Sequence, residues 1–217
     1  MTSGRTACHA AMLVATVAVA PAAAVAQSGW GVGGGAATRI TTVRRATLAG
    51  SEVLSGVVVG GEGRLAAGRF TLRLAYAEGS LHPDGGDTRQ QYVEGSVALG
   101  LVPLPGLEIA AGPYARAYIV DAIPQRRLLS RLHARYEAAV VGDAIRGHVE
   151  AWAGLLHEPS GRAAGSWRGG GVGVSVQPVG RRIAVRVSYM IDRAHPDAGP
   201  GPETVEALAI TVTVGRT

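Results

Sequence analysis

Ser130, His133 and Glu137 are of the three side-chain types that form a nucleophilic triad, and they lie close together in the sequence. In such a triad a hydroxyl attacks, an imidazole takes its proton, and a carboxylate orients the imidazole. The surrounding stretch alternates between apolar and charged residues, which is typical of a β-strand. Because successive side chains of a strand point to opposite faces, Ser130 lies on the opposite face from His133. We therefore expect no catalytic residues here and no enzyme activity.

A second set of polar residues has side chains that could bind a metal ion. This set comprises His82, Asp84, Asp87, His157, Glu158, His195 and Asp197. Their spacing fits no recognised metal motif, so polar loop tips explain them better. The glycines of 169–173 do not form a phosphate loop, because no Lys-Ser or Lys-Thr pair follows them. We expect neither a metal ion nor any other cofactor.

The triad-like residues belong to a pair of strands that a tight turn at Gly142-Asp143 joins. Charged and apolar residues alternate along both strands, so one face of the pair is charged and the other is apolar. The charged face carries Arg131, His133, Arg135, Glu137, His148, Glu150 and Trp152. The apolar face carries Leu128, Leu132, Ala134, Tyr136, Ala138, Val140, Val149, Ala151, Ala153 and Leu155. A soluble protein would bury the apolar face in a core, whereas a membrane barrel would turn it toward lipid.

The N-terminus has the pattern of a cleaved secretory signal over residues 1–26. Arg5 precedes an apolar run, and Ala24-Val25-Ala26 matches a small-x-small cleavage site. Cleavage would remove the only cysteine, Cys8, and with it any disulfide or thiolate site. The formal charge of +5 would fall to +4, and its arginines are spread along the chain, so we expect no nucleic-acid partner.

The rest of the chain reads as strands, with no convincing helical periodicity. Residues 27–37 are rich in glycine and are predicted to be an irregular lead-in, and residues 38–217 form one β domain. Nine strands are clear, and a weak one over Thr38–Leu48 makes ten. Tight turns near Ala67, Pro105, Gly142 and Gly180 alternate with longer connections near 81–88, 121–126, 159–166 and 195–203. This alternation predicts an all-β, antiparallel, up-and-down transmembrane β-barrel of ten strands, with eight as the alternative.

The strands resemble those of the bacterial outer-membrane β-barrel superfamily, especially its small members of eight to ten strands. The segment 107–118, LEIAAGPYARAY, is similar to that family's strands, with aliphatic residues outward and aromatic residues inward. The resemblance implies a porin-like protein of a Gram-negative outer membrane, with membrane lipid and the outer-membrane assembly machinery as partners. Candidates for its interfacial aromatic girdles are Phe70, Tyr76, Tyr136, Trp167 and Tyr189.

In such a barrel the charged faces of the strands would line the lumen. The predicted lumenal network comprises Glu62, Arg64, Arg73, Glu94, Glu108, Arg116, Arg131, His133, Arg135, Glu137, Glu150 and Arg186. Charges held away from water must pair, so these residues are expected to close the lumen as Arg–Glu pairs and to serve a structural role. The same residues could instead line a narrow, weakly conducting channel for small polar or anionic solutes.

Two further alternatives remain open from the sequence. A secreted or periplasmic soluble β-barrel or sandwich would have the apolar face inside, where it could bind an apolar ligand. An outer-membrane hydrolase or acyltransferase would act at the rim of the barrel. Membrane fractionation separates the soluble class from the membrane class.

Overall fold

A computed structural model describes residues 30–47, 50–84, 88–120, 123–142, 144–157, 163–178, 182–197 and 201–215 of the chain. The predicted signal peptide and its cleavage site lie outside these residues. Within them, every regular element is a β-strand. No helix in the described part of the chain is long and apolar enough to cross a membrane.

Ten strands follow one another along the chain. They are β1 Trp30–Thr47, β2 Gly50–Ala67, β3 Phe70–Pro83, β4 Gln90–Leu104, β5 Leu107–Val120, β6 Ile123–Val141, β7 Ile145–His157, β8 Ala163–Val176, β9 Ile183–Pro196 and β10 Glu203–Gly215. Each strand pairs antiparallel with its neighbours in sequence, and β1 pairs with β10 to close the barrel. The closing ladder runs from Gly33 opposite Gly215 to Arg45 opposite Glu203. The predicted fold class is confirmed, with ten strands rather than eight.

The two ends of the barrel differ in which connections they carry. The connections that follow β2, β4, β6 and β8 lie at the same end as Trp30 and Gly215, and we call it the turn end. The connections that follow the odd-numbered strands lie at the other end, which we call the loop end. Gly68 and Gly142 have positive φ angles of 59° and 52° in turn-end connections, a region that residues with a Cβ rarely occupy.

The first strand begins earlier than the sequence indicated. β1 starts at Trp30, so most of the segment predicted as an irregular lead-in, residues 27–37, is strand. The glycines there carry no side chains and therefore show no alternation. Their backbone groups nevertheless find partners on both sides, because Gly33 lies opposite Arg64 of β2 and Gly215 of β10. This boundary of the predicted domain is wrong.

The loop-end connections are shorter than predicted, because the strands continue through much of the polar sequence. The predicted loop at 121–126 is mostly strand, since β5 runs to Val120 and β6 starts at Ile123. The connection between β8 and β9, over 177–182 at the turn end, is as long as the one between β9 and β10, over 197–202. Connection length therefore alternates less than the sequence suggested, although strand order and direction are as predicted.

Aliphatic side chains cover the outside of the barrel. Phe70 and Leu99 are 69% and 70% exposed, and every strand except the Gly-rich start of β1 repeats the pattern. Other outward residues are Ile40, Val57, Leu74, Val97, Ile109, Leu132, Val149, Val172, Val187, Leu208 and Ile210. This arrangement contradicts the soluble alternative, in which the same aliphatic face would line the interior. One girdle candidate is wrong, because Trp167 is buried inside the barrel, whereas Tyr76, Tyr136 and Tyr189 face outward.

Glycines on the inner face of β8 make room for large side chains on β7. Gly169 lies opposite Trp152, Gly171 opposite Glu150, and Gly173 opposite His148. A Cβ at any of the three glycines would collide with the side chain opposite. The glycine run in 169–173 therefore serves close packing inside the barrel.

Candidate functional site

The loop-end half of the lumen holds two clusters of buried apolar side chains. One cluster comprises Val43, Leu54, Val58, Ala77, Leu81, Tyr92, Tyr118 and Val205. A second comprises Tyr114, Leu129, Trp152, Leu156, Trp167 and Ala194, with Met190 against it. Together these residues include at least one from each of the ten strands. We call the two clusters the apolar plug.

Aromatic rings pack face to face and edge to face within the plug. Trp167 stacks on Tyr114 with ring centroids 5.1 Å apart, and the centroid of Trp152 is 6.1 Å from that of Trp167. The guanidinium of Arg131 lies 4.5 Å from the ring centroid of Trp152. Cations above indole faces are attracted to the ring electrons. Arg131 therefore lies against the plug on an aromatic surface instead of a carboxylate.

A buried ion cluster joins the two halves of the plug. The guanidinium of Arg116 donates to Asp192 Oδ2 at 2.7 Å and to Glu203 Oε1 at 3.1 Å. The side chains of Arg116, Asp192 and Glu203 are 4%, 6% and 0% exposed. Tyr118 also donates to Glu203, and Arg127 lies 3.2 Å from its other oxygen. Because β5 is not a neighbour of β9 or β10, these contacts cross the lumen.

The turn-end half of the lumen contains open space. A cavity of about 340 Å³ reaches the strand ends at Gly31, Gly106 and Gly215. A second, of about 220 Å³, lies deeper and touches the plug at Tyr114. Their shared lining is Glu62, Arg73, Arg135 and Arg186. We call the two cavities together the charged chamber.

All twelve residues of the predicted network are on inward-facing strand positions, and eleven of them line the charged chamber. Four pairs of basic and acidic side chains form among these residues. With their nitrogen–oxygen distances, the pairs are Arg135–Glu137 at 2.8 Å, His133–Glu150 at 3.1 Å, Arg64–Glu108 at 3.5 Å and Arg186–Glu62 at 3.6 Å. The twelfth residue, Arg116, belongs to the buried ion cluster. Among the described residues, Arg73 and Arg131 contact no carboxylate.

Several charged residues of this interior are absent from the predicted network, among them Arg39, Asp192 and Glu203. Arg39 pairs with Glu94 at 2.7 Å, and Asp192 and Glu203 hold Arg116. Arg39 lies in the weak first strand, and Glu203 lies in a segment predicted to be loop. The alternation of β10 extends backward through Val205 to Glu203, and following it would have placed Glu203 inward.

The Ser–His contact that the barrel does form is not the one that the sequence suggested. Ser130 Oγ lies 2.8 Å from His157 Nε2 on the exposed outer face, whereas His133 points into the lumen. Within the described part of the chain, no carboxylate contacts the His157 ring to orient it, so the pair lacks the third member of a triad. The same part of the chain holds no group of three or more His, Cys, Asp or Glu residues placed to bind a metal ion.

No protein-family model matches the chain, and no curated protein matches its sequence. Among solved structures, the translocator domain of the autotransporter NalP from Neisseria meningitidis is similar, with a TM-score of 0.51 and 12% identity over 89% of this chain and 91% of that one. An outer membrane channel from Pseudomonas putida gives a TM-score of 0.46 and 14% identity, covering 86% and 95% of the two chains. The outer membrane protease OmpT from Escherichia coli gives 0.44 and 11%, covering 86% and 94%.

The NalP domain is similar to this chain in fold, and the apolar outer surface of this chain agrees with the predicted outer-membrane location. At these identities the likeness extends to the fold alone. The chain has the fold of the bacterial outer-membrane β-barrels, in a form with ten strands.

Proposed function

We propose that the protein is a structural barrel of the outer membrane that conducts no ions in its resting state. The observation that carries this proposal is the apolar plug, to which all ten strands contribute. The outward aliphatic belt would contact membrane lipid, and the turn end would face the periplasm.

The plug opposes ion passage for two physical reasons. An ion entering an apolar layer loses its water, and nothing in that layer replaces the lost hydration. Hydrophobic constrictions block conduction in this way. The ion cluster within the plug offers no replacement either, because Arg116 already binds both Asp192 and Glu203. A permeating ion would have to displace one of these contacts.

A weakly conducting channel is the second candidate, and the charged chamber favours it. Open space with arginines on its wall would admit anions from the turn end. Such a channel would conduct only if the plug moved aside. Single-channel recording separates the two candidates, because a structural barrel stays silent across the applied voltages.

We expect the purified wild-type barrel to give no conductance steps in a planar bilayer. Replacing Tyr114 and Trp167 together with alanine removes the stacked pair at the plug, and we expect steps to appear. The matched control replaces Tyr136 and Tyr189, two outward aromatic residues, and should remain silent. Heat-modifiable gel mobility confirms that each variant is folded. Regular conductance steps from the wild-type protein would show that the proposal is wrong.

The membrane location has its own test. We expect the mature chain to stay in the outer-membrane fraction through an alkaline wash and to change gel mobility on boiling. Both results follow from a closed barrel whose apolar belt is surrounded by lipid. A freely soluble periplasmic pool would contradict the location, and the exposed belt would then require another covering.

A further inference from the structure

The charged chamber carries more positive than negative charge. Seven arginines and five glutamates line it, which leaves an excess of two positive charges when His133 and His148 are neutral. Buried or partly buried charge without a counter-ion is costly. The wall of this cavity is therefore arranged for an anion that it does not itself supply.

The excess is concentrated around Arg73. Arg73 of β3 lies directly opposite Arg64 of β2, with both side chains on the inner face. Like charges placed opposite each other on neighbouring strands destabilise a sheet unless something lies between them. Arg64 has Glu108 as a partner, at 3.5 Å. Arg73 contacts no carboxylate or aromatic ring among the described residues.

Two more arginines approach Arg73 from other parts of the wall. Arg186 of β9 lies within electrostatic range of both Arg73 and Arg135 of β6, so each of these two cations repels Arg186. β3, β6 and β9 are three, three and four strands apart around the ten-stranded barrel. Because Arg73, Arg135 and Arg186 line both cavities, they border the charged chamber from three sides.

Polar atoms without hydrogen-bond partners also occur in the wall of the charged chamber. Nε of Arg64 and Nε of Arg186 are buried and have no partner in the described structure. Nδ1 of His148 is also buried and without a hydrogen-bond partner in the described structure. His148 lines the deeper cavity and is 5% exposed. Unsatisfied buried polar groups are uncommon, and a bound ligand is one reason for them.

We propose that the charged chamber is a binding site for a small oxyanion carrying two negative charges, such as a phosphate group, with Arg73, Arg135 and Arg186 as its ligands. A phosphate monoester carries about −1.5 to −2 charges at neutral pH, which matches the excess in the chamber. Guanidinium groups bind phosphate oxygens through paired N–H donors. That the chamber is closed at its inner end rests on the proposed function, because the apolar plug is what closes it.

The anion enters from the turn end. The outer cavity of the chamber reaches the strand ends there, at Gly31, Gly106 and Gly215. Its volume of about 340 Å³ admits a phosphate group with a small organic substituent. In the orientation in which short turns face the periplasm, the ligand would be a periplasmic solute.

Isothermal titration calorimetry with inorganic phosphate tests the site directly. The folded mature barrel, in a neutral detergent and a phosphate-free buffer, should bind one equivalent saturably, and sulfate should compete. The variant Arg73→Gln should bind phosphate about tenfold more weakly or worse, since it loses a charge-assisted contact. Arg73→Gln also relieves the repulsion with Arg64, so the variant is expected to fold.

Arg193→Gln is the matched control. Arg193 is on β9, as Arg186 is, but it faces outward and does not line the chamber. This variant should keep wild-type affinity. Absence of saturable binding to the folded wild type, or affinity unchanged in Arg73→Gln, would overturn the site. Conductance distinguishes this failure from failure of the proposed function. If the wild type binds phosphate and also conducts ions, the binding site stands, and only the closure of the chamber by the plug is wrong.

Discussion

Replacing Arg116 with glutamine is expected to lower the free energy of unfolding by about 3–5 kcal/mol. Asp192 and Glu203, on the neighbouring strands β9 and β10, would then lie close together without the cation that pairs with both. Arg127 would still contact Glu203, but Asp192 would keep no charged partner among the described residues. A charge buried without a partner costs far more than the ordinary loss of a hydrogen bond.

Equilibrium unfolding of the barrel in lipid vesicles, followed by tryptophan fluorescence, measures this loss. Trp152 and Trp167 lie in the plug and report on it. The matched control is Arg44→Gln, which removes an arginine that is 53% exposed and pairs with Glu206 at 2.5 Å. That loss should stay below about 1 kcal/mol, since exposed ion pairs contribute little. Equal losses for both variants would mean that the Arg116 cluster is not held away from water.

Replacing Ile210 with arginine is expected to destabilise the barrel by about 2–4 kcal/mol when lipid surrounds it. Ile210 is on the outer face of β10, 56% exposed, with Val187 opposite it within the aliphatic belt. A charged side chain there must reach the membrane surface or draw water into the bilayer. In a protein surrounded by water the same exposed position would tolerate arginine at little cost.

Thr204→Arg provides the comparison on the same strand and the same face. Thr204 lies near the loop end, beside Glu206 and opposite Arg193, where outward residues are polar and the belt has ended. An arginine near the membrane interface should cost no more than about 1 kcal/mol. Folding titrations of the two variants from urea into lipid vesicles give both values. Equal and small losses in the free energy of unfolding at the two positions would mean that the aliphatic belt does not contact lipid.

Alternation in the sequence was enough to predict the wall of the barrel. Leu107, Ile109 and Ala111 were assigned outward, and Glu108 inward, because a strand has a fixed period of two residues. The structure has these orientations, since β5 keeps its period of two while the β4–β5 ladder shifts register only on the β4 side, between Leu101 and Leu104. The same rule placed the twelve network residues on inward positions. The alternation within a strand is therefore sufficient to predict which residues face inward and which face outward, wherever the strand carries side chains.

The sequence did not reveal the start of β1, because glycines form it, or the contacts across the lumen, because they depend on strand tilt. Gly33 and Gly35 hide the start of β1, because a residue without a side chain has no face. Contacts across the lumen, such as Arg116 with Asp192, depend on the tilt and register of all the strands between them. No pattern within one strand contains that information. The charged face could therefore be predicted, whereas its division into a sealed half and an open half could not.

The contribution of every strand to the plug has a consequence for how the barrel comes apart. Val43 of β1 and Val205 of β10 are plug residues that lie opposite each other in the closing ladder. Separating that ladder at its loop end therefore removes support from the interior at the same moment. A single edge cannot fray there while the remaining strands keep their packing, so unfolding should be cooperative and slow. The interior side chains therefore make the closing ladder between β1 and β10 as resistant to separation as the other strand pairs of the barrel.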